Sequence, residues 1–500
     1  MNSKKKQIKR RQFLASSAVG IGLAATQSLE ASSLLQEKNK SKNADKDKYV
    51  SLKDAHKGTL EIDLRIMNQL PDIPQEVRDF YVACREALTG KDADNQIAKV
   101  CSEHNVKKLG GPMLGDLTSS SVSIWMHLPT KDAVKVALVS PNGKQAFESQ
   151  ASTNPVVLCE GLRPDTEYEY TVSNSAGDEL GAGKFTTAPT ELSEKPFRLA
   201  FGADFHKIGM YRAELLKLIQ NRGARAMFLI GDSAVDGRKN DPGLIKTDYM
   251  LRNLSPPVQQ LTANVPTSAT WDDHDYWGDD VSGTVGHRNR TVEVELLRKM
   301  WKMQWNNPQR DLDRAGIYFE AQIGPVHYIA LDTRSCRLND KRGELNSFLG
   351  PQQMNWLKET LEVSTSQFIL ISGGTMWTDY ISKAKDTWGT WDIEGRETIF
   401  GWIDAKKDSQ VLLLSGDRHG ARGFKIPRPN GKTLYEFEIG TLGGCPGPDP
   451  FGEDRSQQLF GLESRSWAFG ELTFKLRNGK PDATFRLIDA SGKVVQRILT

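Results

Sequence analysis

The sequence predicts a two-layer α/β sandwich preceded by a small β-sandwich, and three observations lead there. At 500 residues the chain exceeds what one ordinary core accommodates, so more than one folding unit is expected. From Gly110 onward, short alternating strands are punctuated by turn signals. From Phe197 the texture changes to buried apolar runs alternating with helical stretches, and each apolar run ends at a polar cluster. Open α/β sheets place their functional groups there, outside the C-terminal ends of their strands.

The β-sandwich is assigned to residues 107–188. Its expected strands are 119–126, 134–139, 156–159 and 168–172. Between them fall turn signals such as Pro141-Asn142-Gly143 and Arg163-Pro164-Asp165. The segment from Gly161 to Tyr170 resembles the turn-and-tyrosine corner of fibronectin III/Ig-like sandwiches. Residues 187–191 read as a linker into a catalytic domain at 195–500. Ahead of the sandwich, Val77, Phe80, Tyr81 and Cys84 recur at helical spacing, so residues 59–106 are expected to be a helical lead-in.

Composition narrows the function classes. Hydrophobic residues make up 38% and charged residues 26%, as in a soluble globular protein. With 66 basic against 63 acidic residues the net charge is only +3, which argues against a dedicated nucleic-acid surface. Five cysteines, odd in number and scattered, make no disulfide framework and no C-x-x-C pair. A Cys84–Cys101 pair is conceivable, but buried thiols are the preferred reading. At the start of the chain, Lys4-Lys5-Lys6 and Lys9-Arg10-Arg11 precede a mildly apolar stretch that is too short for a membrane span. Arg10-Arg11 with Phe13-Leu14 resembles a twin-arginine export signal. Residues 1–32 are therefore expected to be a signal peptide read by the twin-arginine machinery, and residues 33–58 a polar linker. The protein is expected to be exported, with no transmembrane segment.

Four clusters carry the chemistry: Asp204-Phe205-His206, Gly231-Asp232, Asp272-Asp273-His274-Asp275 and Gly416-Asp417-Arg418-His419. Singly, an acid after a strand is usually a turn or cap residue. Four in order, with three of the chain's eight histidines, are hard to explain as caps. Phosphate-ester hydrolysis needs such a set. An anion must be attacked by a nucleophile, and two ions roughly 3.5–4 Å apart can bridge a hydroxide and clamp the phosphate oxygens. A nearby histidine can protonate the departing alkoxide.

The order Asp-x-His, Gly-Asp, Asp-His-Asp and Gly-x-His resembles the calcineurin-like metallophosphoesterases. Thr270 to Asp275, Leu331 to Arg334, Leu349 to Leu357 and Leu414 to His419 are similar to the alkaline phosphatase D (PhoD-like) family within them. The resemblance covers nearly the whole mature chain and implies a two-layer metallophosphatase sandwich. It implies that Asp204 and His206 bind a first metal, that Asp232 bridges, and that Asp273 binds the second. Asp417 and His419 would complete the set, His274 would be the general acid, and Arg334 would hold a phosphate oxygen. The best-known members place a cysteine ligand where this chain has Asp204, and a tyrosine ligand where it has Val235, beside the possible substitute Asp236. A further histidine expected near residues 372–375 is also missing. The site is therefore expected to be carboxylate-rich, favouring calcium, manganese or iron over an all-zinc pair. The expected substrate is a phosphate mono- or diester. Two rival readings are a catalytically degenerate binding protein and a serine esterase built on Gly231-Asp232-Ser233.

Overall fold

Alternation of buried and exposed side chains makes the segment 110–186 a set of strands. In β3 (Val134–Ser140), Val134, Val136 and Leu138 point inward. In β6 (Glu167–Asn174), Tyr168, Tyr170 and Val172 do the same. The computed structural model describes residues 50–70, 73–90, 94–233, 240–283, 292–308, 311–378, 386–451 and 455–500. The expected leader, Val235 and Asp236 lie outside these residues. Strands β1 (Gly110–Gly115), β2 (Ser121–His127) and β5 (Val156–Glu160) form one small sheet. Strands β4 (Gly143–Glu148), β3, β6 and β7 (Glu179–Thr186) form another. The tyrosine corner is present: the Tyr168 hydroxyl accepts a hydrogen bond from the Arg163 amide at 2.8 Å.

The strands β1–β7 dock closely on the rest of the chain. The Tyr170 hydroxyl donates to the Ala263 carbonyl at 2.8 Å. The Asn306 amide donates to the carbonyls of Met113 and Ser123. Gly183 permits this approach, because a Cβ there would lie 2.1 Å from the Ala263 oxygen.

Residues 197–500 build two larger sheets. One has the order β10-β9-β8-β18-β19-β20, the other β11-β12-β13-β14-β16-β15-β17. In the first, β8 (Phe197–Gly202), β9 (Ala226–Ile230) and β10 (Thr267–Thr270) are parallel. In the second, β12 (Val326–Ala330), β13 (Phe368–Ser372), β14 (Gln410–Ser415) and β16 (Thr433–Ile439) are parallel. Buried on both faces, β8, β9, β12, β13 and β14 read as largely apolar runs, which is why they were legible, whereas β10 and β16 carry no such run. The sheets meet through an aromatic interior, with Phe228 stacked on Tyr328 at 3.8 Å and Phe437 on Phe485 at 3.9 Å. The opposite face of the seven-stranded sheet packs Ile329, Ile369 and Leu413 against the helices Gly350–Val363 and Ile393–Asp404. This is the expected two-layer α/β sandwich preceded by a small β-sandwich.

The end of the chain was not anticipated. Strand β18 (Ala468–Arg477) runs antiparallel beside β8, pairing Gly470 with Phe201, and β19 (Lys480–Asp489) and β20 (Val494–Leu499) extend the sheet. Pairing across such a sequence separation leaves no local signal.

At the other end, the helices Leu60–Met67, Gln75–Leu88 and Asp94–Glu103 form the lead-in, and Phe80, Tyr81 and Cys84 are buried as their spacing predicts. Residues 52–58, expected to be polar linker, instead begin with a helical turn (Leu52–Ala55) whose Leu52 and Ala55 are buried. All five cysteines are free thiols, and all but Cys336 are buried. Among the described residues no helix is long and apolar enough to cross a membrane.

Candidate metal centre

The four clusters expected from the sequence converge at the C-terminal ends of parallel strands. Asp204 follows β8, Asp232 follows β9, the Asp272–Asp275 segment follows β10, and Asp417 follows β14. Asp204, His206, Asp232, Asp417 and His419 all adopt positive φ, at 56°, 46°, 49°, 80° and 40°. Such a backbone costs a non-glycine residue roughly 1–3 kcal/mol and persists only where its surroundings impose it. Here it turns each side chain sharply off the end of its strand into one place. Gly440 makes room, since a Cβ there would lie 2.1 Å from Asp204 Oδ2.

Ligand atoms within 4.8 Å of one another define four overlapping groups: Asp204, Asp232 and His419; His206, His419 and Cys445; Asp232, Asp273 and His274; and Asp272, Asp273 and Asp417. Asp232 thus belongs to two of the groups, one shared with Asp204 and His419 and the other with Asp273 and His274. The Nε2 atoms of His206 and His419 face each other at 3.4 Å, and His206 Nε2 lies 3.4 Å from Asp232 Oδ2. His419 Nδ1 sits 2.6 Å from the Pro446 carbonyl. A carbonyl only accepts, so Nδ1 carries the hydrogen and Nε2 keeps its lone pair for the interior. Asp204 accepts from the amides of Asp417 (3.1 Å) and His419 (3.0 Å), tying the first cluster to the last.

The carboxylates are crowded and dry. Asp204, Asp232, Asp272 and Asp273 are each at most 3% exposed. Burial, then the charges of Asp273, Asp275, Asp272 and Asp204, push the Asp232 carboxyl well above the ordinary carboxylate range. Burial, then Asp272 and Asp273, do the same to Asp417. Burial also pushes Asp273 upward, but Arg334, His274 and the amides of Asp280 and His274 outweigh it and hold that carboxyl low. Converging carboxylate and imidazole donors, some of whose carboxyls are pushed upward by their neighbours, are a donor set a cation fits, because its charge offsets theirs.

The structure brings Asp204, His206, Asp232, Asp273, His274, Asp417 and His419 together. Arg334 is different. It is fully buried, its Nε and Nη2 grip Asp272 in a two-point pair, its Nη1 holds Asp386, and Nη2 lies 3.5 Å from Asp417. The expectation that it clasps a phosphate oxygen gives way to a structural role, because its guanidinium is committed to carboxylates. Sequence reasoning also missed Cys445, Asp386 and His56, and it named Asp272 within a cluster without giving it a role. Cys445 sits after β16, carries no motif, and reaches the centre only because its loop folds over Asp204, whose carbonyl lies 3.7 Å from Sγ. Among the described residues Ser233 Oγ is buried and has no hydrogen-bond partner, so none of them is placed as the base that the serine-esterase reading needs.

Fold and centre together define a hydrolase of phosphoric esters with the metallophosphatase architecture. Residues 245–458 match the model of the PhoD-like phosphatase family. The matched span holds Asp273, His274, Asp417 and His419, whereas Asp204, His206 and Asp232 precede it. Among solved structures the chain is similar to one described as PhoD, at 17% identity, covering 78% of this chain and 92% of that one, with a TM-score of 0.59. It is also similar to the purple acid phosphatase PPD1 from yellow lupin (Lupinus luteus) seeds, at 11% identity, covering 78% of this chain and 73% of that one, with a TM-score of 0.57. At these identities the likeness is one of fold. None of the curated proteins compared matches the chain.

Replacing Arg334 with Lys should lower the unfolding free energy by at least about 2 kcal/mol. A point charge cannot reproduce the two-point pair and leaves buried carboxylates undercompensated. Urea unfolding measures this, and an unchanged midpoint would show that the arginine is not holding the acidic cluster.

Proposed function

We propose that this protein is an exported, two-metal phosphoesterase acting on phosphate mono- or diesters. The observation that carries the reading is the position of Asp232, buried between two groups of metal-competent side chains. Asp204, His206, Asp232 and His419 would hold one ion, with the Cys445 thiol beside them. Asp232, Asp273 and Asp417 would hold the other. When bound, the two ions supply the positive charge that offsets charge developing on the phosphate oxygens. The sides differ in chemistry. The nitrogen- and sulfur-containing side suits iron or zinc, and the carboxylate side suits manganese, magnesium or calcium.

His274 follows Asp273 in the single-turn helix Asp273–Tyr276, and its amide lies against Asp273 Oδ1 (2.8 Å) and Asp232 Oδ1 (3.2 Å). Its ring packs edge-on to His206 at 5.2 Å. The backbone is pinned to the acidic floor, and the ring would give a proton to the departing alkoxide. Arg334 and Asp386 hold Asp272 and keep the cluster assembled.

Replacing Asp232 with Asn should abolish hydrolysis and lower bound metal, as measured by elemental analysis of purified protein. Full activity with two ions still bound would sink the assignment. His274→Ala should keep its metal and lose about 10²- to 10⁴-fold in kcat on alkyl phosphates, with a much smaller loss on 4-nitrophenyl phosphate, whose leaving group needs little protonation. Equal losses on both substrates would exclude the acid role.

Export is read from Arg10 and Arg11 beside a weakly apolar stretch. Changing both to Lys preserves charge but not a receptor-read pair, so active enzyme should accumulate in the cytoplasm on cell fractionation. Undiminished activity outside the inner membrane would show that the arginines are incidental.

A further inference from the structure

The loop that follows β16 closes over the centre, and its sequence allows it to come very near. It contains Gly443-Gly444-Cys445-Pro446-Gly447. The Gly443 amide donates to the Asp204 carbonyl at 2.9 Å, and the Arg465 amide donates to the Cys445 carbonyl at 3.0 Å. A Cβ on Gly443 would lie 2.5 Å from the Asp204 carbonyl oxygen, and one on Gly447 would lie 2.4 Å from the His419 carbonyl oxygen. Glycine at both positions lets the loop press on the first and the last of the four clusters at once.

This approach delivers a sulfur atom. Cys445 is fully buried, and its Sγ lies within 4.8 Å of ligand nitrogens of both His206 and His419. The Nε2 atoms of those two rings are 3.4 Å apart. Two nitrogens each about 2.1 Å from one tetrahedral ion are separated by about that distance. Pro446, the next residue, accepts from His419 Nδ1 at 2.6 Å. The loop that carries the sulfur therefore also leaves the His419 Nε2 lone pair facing the centre. Among the described residues, no other cysteine belongs to such a group. A cysteine that only filled space would need neither the two imidazoles nor the carbonyl that orients one of them.

Sulfur changes which ion the position takes. A thiol becomes a ligand by losing its proton: the S–H bond breaks, the proton passes to solvent, and a sulfur lone pair forms the bond to the ion. Thiolate and imidazole together suit a thiophilic ion such as zinc, cobalt or iron. Asp272, Asp273 and Asp417, a group of carboxylates only, suit a hard ion such as calcium or manganese.

We propose that Cys445 is a direct ligand of the ion held by His206 and His419, and that it makes this position selective for a thiophilic ion. The inference rests on the two-metal phosphoesterase reading and deepens it. It is tested on the full chain, stripped with a chelator and titrated with cobalt(II) alone, read by absorption spectroscopy. Wild type should develop a sulfur-to-cobalt charge-transfer band in the near ultraviolet at one equivalent. Cys445→Ser should lose that band and bind the first cobalt at least about 100-fold more weakly, since even groups that only orient a ligand cost 10- to 100-fold in affinity when removed. Manganese bound by the same variant should stay at the wild-type level, which shows that the centre is still assembled. Cys445→Ala, which leaves a small apolar side chain in the buried position, should behave as the serine variant does. Cys159→Ala, which removes a buried thiol of the β-sandwich, should keep the band. A band that survives in folded Cys445→Ser or Cys445→Ala overturns the proposal, and so does a wild-type protein that binds cobalt without one. A wild-type protein that shows the band but hydrolyses no phosphate ester overturns the proposed function and leaves the ligand standing. One that hydrolyses phosphate esters and shows no band overturns only the ligand.

Discussion

Mutual repulsion among buried carboxylates is the constraint on which the rest of this structure depends. Asp204, Asp232, Asp272 and Asp273 are buried with Asp417 beside them, and burial together with neighbouring carboxylates pushes the Asp232 and Asp417 carboxyls above the ordinary range. Nothing in local propensity favours such a gathering. It is imposed by strands that end together, and it is made tolerable by specific compensation. Arg334 neutralises Asp272 and Asp386, backbone amides satisfy Asp204 and Asp273, and Asp275 accepts from the amides of Ser233 and Asp272. The set around Asp232 is the part of the cluster whose charge a bound cation would offset.

The same logic separates the two arginines beside Asp386. Arg334 pairs with Asp272 and Asp386, whereas Arg337 shares Asp386 and lies over the rings of Phe348 and Trp391. A planar guanidinium suits both tasks, since it can fork onto a carboxylate and lie flat on an aromatic face. An arginine near a phosphatase centre invites a phosphate-clasping role. The geometry shows an architectural one instead, and only the partners distinguish the two.

The β-sandwich and the lead-in helices are built into the body that carries the centre. The interior of β1–β7 runs continuously into the aromatic layer between the large sheets. The lead-in is fastened by ions as well as by packing: Asp63 and Arg85 on its helices meet Lys207 and Asp248 on the body. Because Lys207 adjoins His206, this contact couples the position of the lead-in to the backbone at the centre.

The sequence by itself determined the parts of this protein that local physics controls. Largely apolar runs marked β8, β9, β12, β13 and β14, because a strand buried on both faces leaves few polar positions. Alternation marked β3 and β6, since a strand with one solvated face must alternate, while β2 alternates in sequence but is buried on both faces. Acids and histidines directly after those runs marked Asp204, His206, Asp232, Asp273, His274, Asp417 and His419, since a strand's end fixes where the next side chains go. Tertiary structure decided the rest. It set Arg334 against Asp272 and Asp386, brought Cys445 over Asp204, carried His56 across to His274, and inserted β18 beside β8. Each of these joins segments far apart in the chain. No periodicity or neighbouring residue encodes such a contact, because its energy is gained only once both segments are already in place.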